Sequence, residues 1–395
     1  MKTNILLITK DAFSKEYLPQ YGNTFWKGKT PNIDELVKKG TIFTHYYTSA
    51  PSTVMSFRGM MFGKFAHETP YHNYTPQEIP STPQDFFEFA KSKGYKGHII
   101  WDSAWVKMVL RYGNCFGNET TIHNLDNIRQ GVGAHYNHNG TLQRNDKKTD
   151  EAIKKIENEV VSILNEGNQA LVWIHLPHVI NGRTGYGDDI DVFDAIVGVM
   201  RKYFSDDCIF ISADHGNMNG FKGKYCYGFD VYTQNIEIPL ITPRIGGIEV
   251  CNDFVSNIDI KQIIFEGKIP EREFLYSDTQ YYAQPNRKLA IIHEGFLYIY
   301  SKKTKKEELY DLTYDPQLRC NMISDTFYDV DRELETYTRE LFFSPRWEEA
   351  QKIRTVFRNE RKRIWKEPPL LESIKESSWM LAKKKAVKIL KAVKK

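Results

Sequence analysis

The chain has 395 residues, 41% hydrophobic, 26% charged and 13% aromatic, with a formal net charge of +4. That length buries a large core, and this composition excludes a disordered or low-complexity chain. The near-neutral balance gives no reason for polyanion binding by charge alone, and the five cysteines, Cys115, Cys208, Cys226, Cys251 and Cys320, contain no CxxC pair; this favours a reducing compartment over a disulfide framework or a cysteine zinc site.

In chain order, Met1 to Asp11 has too short an apolar core for a signal peptide. Ile5 to Thr9 reads as a buried parallel strand that Asp11 ends. Open α/β sheets place ligands just beyond the carboxyl ends of such strands. Asp11 is therefore open between two readings, a metal ligand or acid and a cap of the next turn. Thr30 to Gly40 is a punctuated helix, with Thr30 as cap, Pro31 at its first position and Gly40 as stop. Thr41 to Tyr47 reads as a strand. The stretch Ser49 to Gly63 then sets a hydroxyl-rich turn, Ser52-Thr53, before a run with helical spacing at Val54, Phe57, Met60 and Met61. A hydroxyl there is either an N-cap or a group aimed at the positive helix end, where an oxyanion is stabilised.

Further along, Asp85 to Gly94 reads as a helix and His98 to Trp101 as a buried strand. Asn114 to Asn145 is rich in Asn, Gly and His and reads as a long loop or insertion, with His123, His135 and His138 as surface histidines. Thr149 to Asn165 is an amphipathic helix, Ala170 to Leu176 a strand, Ile190 to Tyr203 a helix and Cys208 to Ala213 a strand. This alternation argues for a largely parallel α/β sheet with helices on both faces. His175 lies on its strand and reads as a core residue. No run of about 18 apolar residues would span a bilayer, and a cytoplasmic location is expected.

Two strands thus end in carboxylates, Asp11 and Asp214, and His215 follows the second. Carboxylate with imidazole suits Zn²⁺, Mn²⁺ or Ca²⁺. The Thr53 hydroxyl, beside the same edge, is a further ligand candidate and would become a nucleophile on metal contact. Ser52, Arg58, Asn217 and Tyr227 are candidate substrate contacts.

The chain resembles the sulfatase-like branch of the alkaline phosphatase superfamily. The resemblance rests on Asn4 to Asp11, Tyr21-Gly22, Thr30 to Leu36, Gly40 to Thr44, Ala50-Pro51, Gly63, Gly94-Tyr95, Ala213 to Gly216, Ile238 to Ile241, Glu308 to Leu312, Asp315-Pro316 and Asn321, and spans about residues 3 to 325. It implies one divalent ion on Asp11, Thr53, Asp214 and His215, and a metal or substrate contact at His178. Departures carry information too. The family's cysteine or serine, followed by x-Pro-x-Arg and converted to formylglycine, is replaced by Thr53, which cannot be converted. The second acid beside the first aspartate is Ala12. A later histidine before glycine is replaced by Tyr227-Gly228. A threonine nucleophile resembles the phosphoethanolamine and phosphoglycerol transferases and the nucleotide pyrophosphatases.

Residues 271 to 312 alternate strand-like runs with turns, with Leu289 to His293 and Phe296 to Tyr300 as a hairpin. The expected organisation is a catalytic α/β domain at 1–265, a small antiparallel subdomain at 266–325 and a helical basic extension at 326–395. Its last part, Trp379 to Lys395, carries Trp379, Ala382, Ala386, Ile389, Leu390 and Val393 on one helical face among lysines. It reads equally as a helix on an anionic membrane surface and as a solvated tail; nucleic-acid binding has no motif support. The expected activity is hydrolysis or transfer of a phosphoric ester by Thr53, acting on a small molecule or a surface glycan precursor. The alternatives are a sulfuric ester hydrolase and an impaired binding or scaffold protein.

Overall fold

The structure, a computed structural model, describes residues 3–24, 27–68, 85–102, 120–130, 132, 135–136, 142–143, 146–177, 190–279, 286–323 and 345–365. Its strands are β1 (Ile5–Lys10), β2 (Thr41–Tyr47), β3 (Lys96–Asp102), β4 (Thr120–Leu125), β5 (His135–Tyr136), β6 (Leu142–Gln143), β7 (Ala170–Leu176), β8 (Ile209–Ala213), β9 (Leu240–Thr242), β10 (Val250–Ser256), β11 (Leu275–Asp278), β12 (Lys288–His293), β13 (Phe296–Ser301) and β14 (Glu307–Asp311). The helices are α1 (Pro31–Lys39), α2 (Thr53–Phe62), α3 (Phe86–Ser92), α4 (Asp146–Asn165), α5 (Ile190–Met200), α6 (Thr233–Ile236), α7 (Ile260–Glu266) and α8 (Pro345–Ile364).

Eight strands form one sheet in the order β10-β2-β9-β8-β1-β7-β3-β4. All neighbours pair in parallel except β9, which runs antiparallel to β2 and β8. Every residue of β1 and of β7 is buried, as expected for strands covered on both faces, and their sequences are correspondingly apolar runs. One group of helices packs α1, α4 and α5 together, and another packs α2, α3 and α7. Their apolar faces share a core with β1, β3 and β7, from Leu6 to Trp173 and Ile263.

A separate antiparallel sheet runs β11-β12-β13-β14. With α8 it builds a second core that also takes in Tyr47, Phe65, Val231 and Ile258 from the first part of the fold. The β12–β13 turn is Glu294-Gly295, both at positive φ, the geometry a tight hairpin demands.

Two local expectations need correction. Asn114 to Asn145 is not wholly loop, because β4 pairs with β3 at the sheet edge. An edge strand is only half covered, and Thr-Thr-Ile-His-Asn-Leu has little of the apolar run that marked the inner strands. His123, read as a surface loop histidine, therefore sits on a strand. Thr30 does precede α1, but its side chain makes no cap bond; its hydroxyl accepts from Gln20 Nε2 instead. His138 and the basic segment 379–395 lie outside the described residues, as does Cys115; the other four cysteines are free. No described helix is long and apolar enough to cross a membrane.

Candidate active site

The centre of the sheet delivers three chain ends to one place. β1 lies between β7 and β8, and Lys10 is level with Leu176 on one side and Ala213 on the other. The next residues out are Asp11 and Asp214, and the Asp11 N–H donates to the Leu176 carbonyl at 2.9 Å. Both carboxylates are fully buried. Asp214 Oδ1 accepts two backbone N–H groups, from Ala12 at 3.0 Å and His215 at 2.7 Å. Its other oxygen, Oδ2, has no hydrogen bond. Ala12 holds φ at 53°, a left-handed conformation that a residue with a Cβ adopts at some cost; the bond to Asp214 is what that conformation delivers.

Thr53 arrives from the other direction, on α2. The turn before it is fixed by Asn257, whose Oδ1 accepts the Ser49 N–H at 2.8 Å while its Nδ2 donates to Thr48 Oγ1 and Ser56 Oγ. Ser56 in turn donates to the Asp214 carbonyl at 2.6 Å, tying the helix to the β8 end. Gly59 lets α2 approach this turn, since a Cβ there would stand 2.1 Å from Ser49 Oγ. Gly63, at φ 61°, closes the helix with an N–H to the Gly59 carbonyl. Ser52 is the N-cap but makes no side-chain cap bond.

The Thr53 hydroxyl oxygen lies 3.2 Å from His215 Nε2 and 3.5 Å from Asp11 Oδ1. His215 Nδ1 faces the Gly216 carbonyl at 2.8 Å. A carbonyl only accepts, so Nδ1 carries a proton, and Nε2 is the ring nitrogen that faces the carboxylates. That nitrogen is 3.4 Å from Asp214 Oδ2 and 3.7 Å from Asp11 Oδ1. Gly216 cannot be larger: a Cβ would meet the Gln234 carbonyl oxygen at 1.9 Å and Ser14 Oγ at 2.6 Å.

Two buried carboxylates this close, one with an oxygen lacking any hydrogen-bond partner, call for a cation. Donors of a tetrahedral ion bound at about 2.0–2.2 Å stand about 3.4 Å apart, close to the separations of His215 Nε2 from Asp214 (3.4 Å), Thr53 (3.2 Å) and Asp11 (3.7 Å). The residues therefore fit a divalent ion. His175, read from sequence as a core residue, is buried at the end of β7, and its ring joins Asp11 and Asp214 in a group whose ligand atoms lie within 4.8 Å of one another. It is the one such group of three among the described residues. Burial holds the His175 imidazole below its ordinary pKa, which disfavours its protonated form.

The other sequence candidates divide. Ser52 is buried and adjoins Thr53. Tyr227 places its ring 4.5 Å from the His215 ring, so an aromatic face stands beside the site. Asn217 turns its Oδ1 back to the Asn219 N–H at 3.2 Å. Arg58 is almost wholly buried in α2, five residues beyond Thr53, and so is not on an open surface. His178 lies outside the described residues. Sequence reasoning missed a second polar cluster: His98 Nδ1 meets His123 Nε2 at 2.9 Å, and His123 Nδ1 meets Glu159 at 2.6 Å. Only the β3–β4 register, which puts His98 beside Thr121 and Ile100 beside His123, could have revealed it.

The sulfatase family profile matches residues 3–203. Among solved structures, the chain is similar to the phosphonate monoester hydrolase of Agrobacterium radiobacter, with a TM-score of 0.59 at 15% identity, covering 86% of this chain and 95% of that one. It is also similar to a 2-O GAG sulfatase, with a TM-score of 0.59 at 14% identity, covering 87% and 91%. A sulfatase from Pseudoalteromonas sp. aligns with a TM-score of 0.55 at 12% identity, covering 86% and 89%. At these identities the likeness is one of fold. No curated protein matches.

Proposed function

This chain belongs to the sulfatase family of ester hydrolases, and from that premise we propose that it cleaves a phosphoric ester with Thr53 as nucleophile. The observation that carries the reading is the Thr53 hydroxyl at the first turn of a buried helix, 3.2 Å from His215 and 3.5 Å from Asp11. Asp11, Asp214 and His215 would hold a divalent ion, Zn²⁺, Mn²⁺ or Ca²⁺. When bound, it would lower the pKa of the hydroxyl and neutralise charge on the ester.

The chain's own residues supply the rest. Thr53 Oγ1 bonds to phosphorus as the bond from phosphorus to the ester oxygen breaks, and the threonine proton leaves toward the Asp11 carboxylate that the hydroxyl already faces. His178 is assigned the proton for the departing alcohol. The α2 N-terminus, with no side chain capping it, stabilises the developing oxyanion. Water then attacks the phosphothreonine, breaking the Oγ1–phosphorus bond and releasing phosphate; an acceptor hydroxyl in its place makes the same chemistry a transfer. Tyr227 offers a face to the alcohol portion, and Ser52 lies beside the reacting oxygen.

Sulfuric esters are the second reading, favoured by the family match. The phosphoric reading is preferred because the formylglycine precursor is absent and Thr53 stands in its place. An ester-bearing sugar, as in a surface glycan precursor, is the proposed substrate, and the basic segment 379–395 is proposed to hold the enzyme at an anionic membrane. The intact set of donors supports an enzyme over a scaffold. The test is a panel of aryl phosphates, phosphonates and sulfates with mass detection of the trapped intermediate. An adduct of phosphate mass on Thr53 is expected; turnover with the adduct mapped to Ser52 overturns the assignment.

A further inference from the structure

We infer that His175 is a direct ligand of the ion at this site, which makes it a two-carboxylate, two-imidazole centre built for a zinc-class transition metal rather than for calcium. The inference rests on the proposed metal site and specifies its donor set.

His175 extends from the last turn of strand before the sheet edge, and its partner in register is Thr9, two residues before Asp11. Side chains two apart on a strand share a face, so Thr9, His175 and Asp11 lie on the same side of the sheet. His175 Nδ1 is 2.9 Å from Thr9 Oγ1, and that same oxygen accepts from Trp173 Nε1 at 2.7 Å. The opposite ring nitrogen, Nε2, is buried and makes no hydrogen bond. Its ring is boxed edge-on by Phe57, with centroids 4.8 Å apart, so it has little freedom to turn elsewhere. A buried nitrogen without a partner next to two buried carboxylates, one of which also carries an oxygen without one, is explained if both point at the same ion. Nδ1–H donated to Thr9 is the arrangement that fixes a ligating imidazole.

Position 12 offers no further side-chain oxygen: Ala12 carries a methyl group, and its backbone N–H is turned onto Asp214. Calcium takes six to eight oxygen ligands, whereas imidazole suits zinc and its neighbours.

The test counts nitrogens rather than activity. The purified protein is stripped, loaded with Cu²⁺ as a probe, and its remote imidazole nitrogens are counted by pulsed electron paramagnetic resonance. Two imidazoles are expected in the wild type, and one should remain in His215→Gln. Zinc affinity, measured by chelator competition, should fall on the order of 100-fold in His175→Gln and on the order of 10-fold in Thr9→Val, while calcium should bind no better than weakly to the wild type. Loss of every imidazole signal in His215→Gln, or calcium binding tighter than zinc, overturns the inference. Because the His215→Gln readout leaves His175 in place, it holds even if His175→Gln fails to fold. Failure of the broader reading looks different: wild type that binds no metal at all would remove the proposed function as well.

Discussion

Asp214→Asn should stabilise the metal-free protein while abolishing its response to metal. In the stripped site, two fully buried carboxylates face each other with ligand atoms within 4.8 Å. Two unit charges 4.8 Å apart would repel by about 3.5 kcal/mol at an effective dielectric constant of about 20. The amide removes that repulsion and keeps Oδ1 as acceptor for the Ala12 and His215 N–H groups. In place of the unbonded Oδ2, it sets an N–H₂ toward His215 Nε2, now 3.4 Å away. The variant in chelator should therefore melt above wild type in chelator, by on the order of 5 °C for a chain of this size. With metal at about 1,000 times its dissociation constant, wild type gains about 4 kcal/mol, and the variant should gain almost none. Calorimetry with and without chelator, plus elemental analysis, reads both effects. The reasoning is refuted if Asp214→Asn melts below wild type in chelator, or if it gains as much from metal as wild type does.

Four further outcomes are expected. Thr53→Ala should lose several orders of magnitude in rate yet retain its metal and melting profile, whereas Thr53→Ser keeps part of the activity and Ser52→Ala most of it; near-wild-type turnover by Thr53→Ala would end the nucleophile assignment. Gly216→Ala, whose Cβ would stand 1.9 Å from the Gln234 carbonyl oxygen, should destabilise by about 3 kcal/mol or more and loosen metal binding through His215, as denaturant unfolding and metal competition would record. His98 is pushed down to about 4, first by burial and then by His123. The unfolded chain therefore binds this proton first: stability should be level above about pH 6.5 and fall between there and about pH 4, by at most about 3 kcal/mol, and His98→Asn should flatten that fall in urea titrations. Deleting 379–395 should abolish sedimentation with anionic liposomes at low salt while sparing hydrolysis of a soluble ester; wild type that ignores such liposomes would refute the membrane role.

The inner architecture is legible in the chain's local patterning. The runs Ile5 to Thr9 and Ala170 to Leu176 are largely apolar without alternation because both faces of a parallel strand are covered, and they and Thr41 to Tyr47 are strands with bounds within a residue of that reading. The helix at Thr53 was legible from its spacing, and the ester-hydrolase family from the motifs at Asp11, at Asp214-His215 and around Thr53. Tertiary structure alone decided what depends on register. β4 was hidden because an edge strand buries only part of its surface, so its polar composition carries no periodic signal. His175 looked like a core residue because burial and ligation impose the same strand position; only the pairing of β1 with β7, which sets it beside Thr9 on the Asp11 face, brings its ring to the carboxylates. The distance from Thr53 to His215 likewise spans 162 positions of chain, and no local pattern encodes it: the Asn257 and Ser56 bonds that hold α2 against the end of β8 form only once the sheet is assembled.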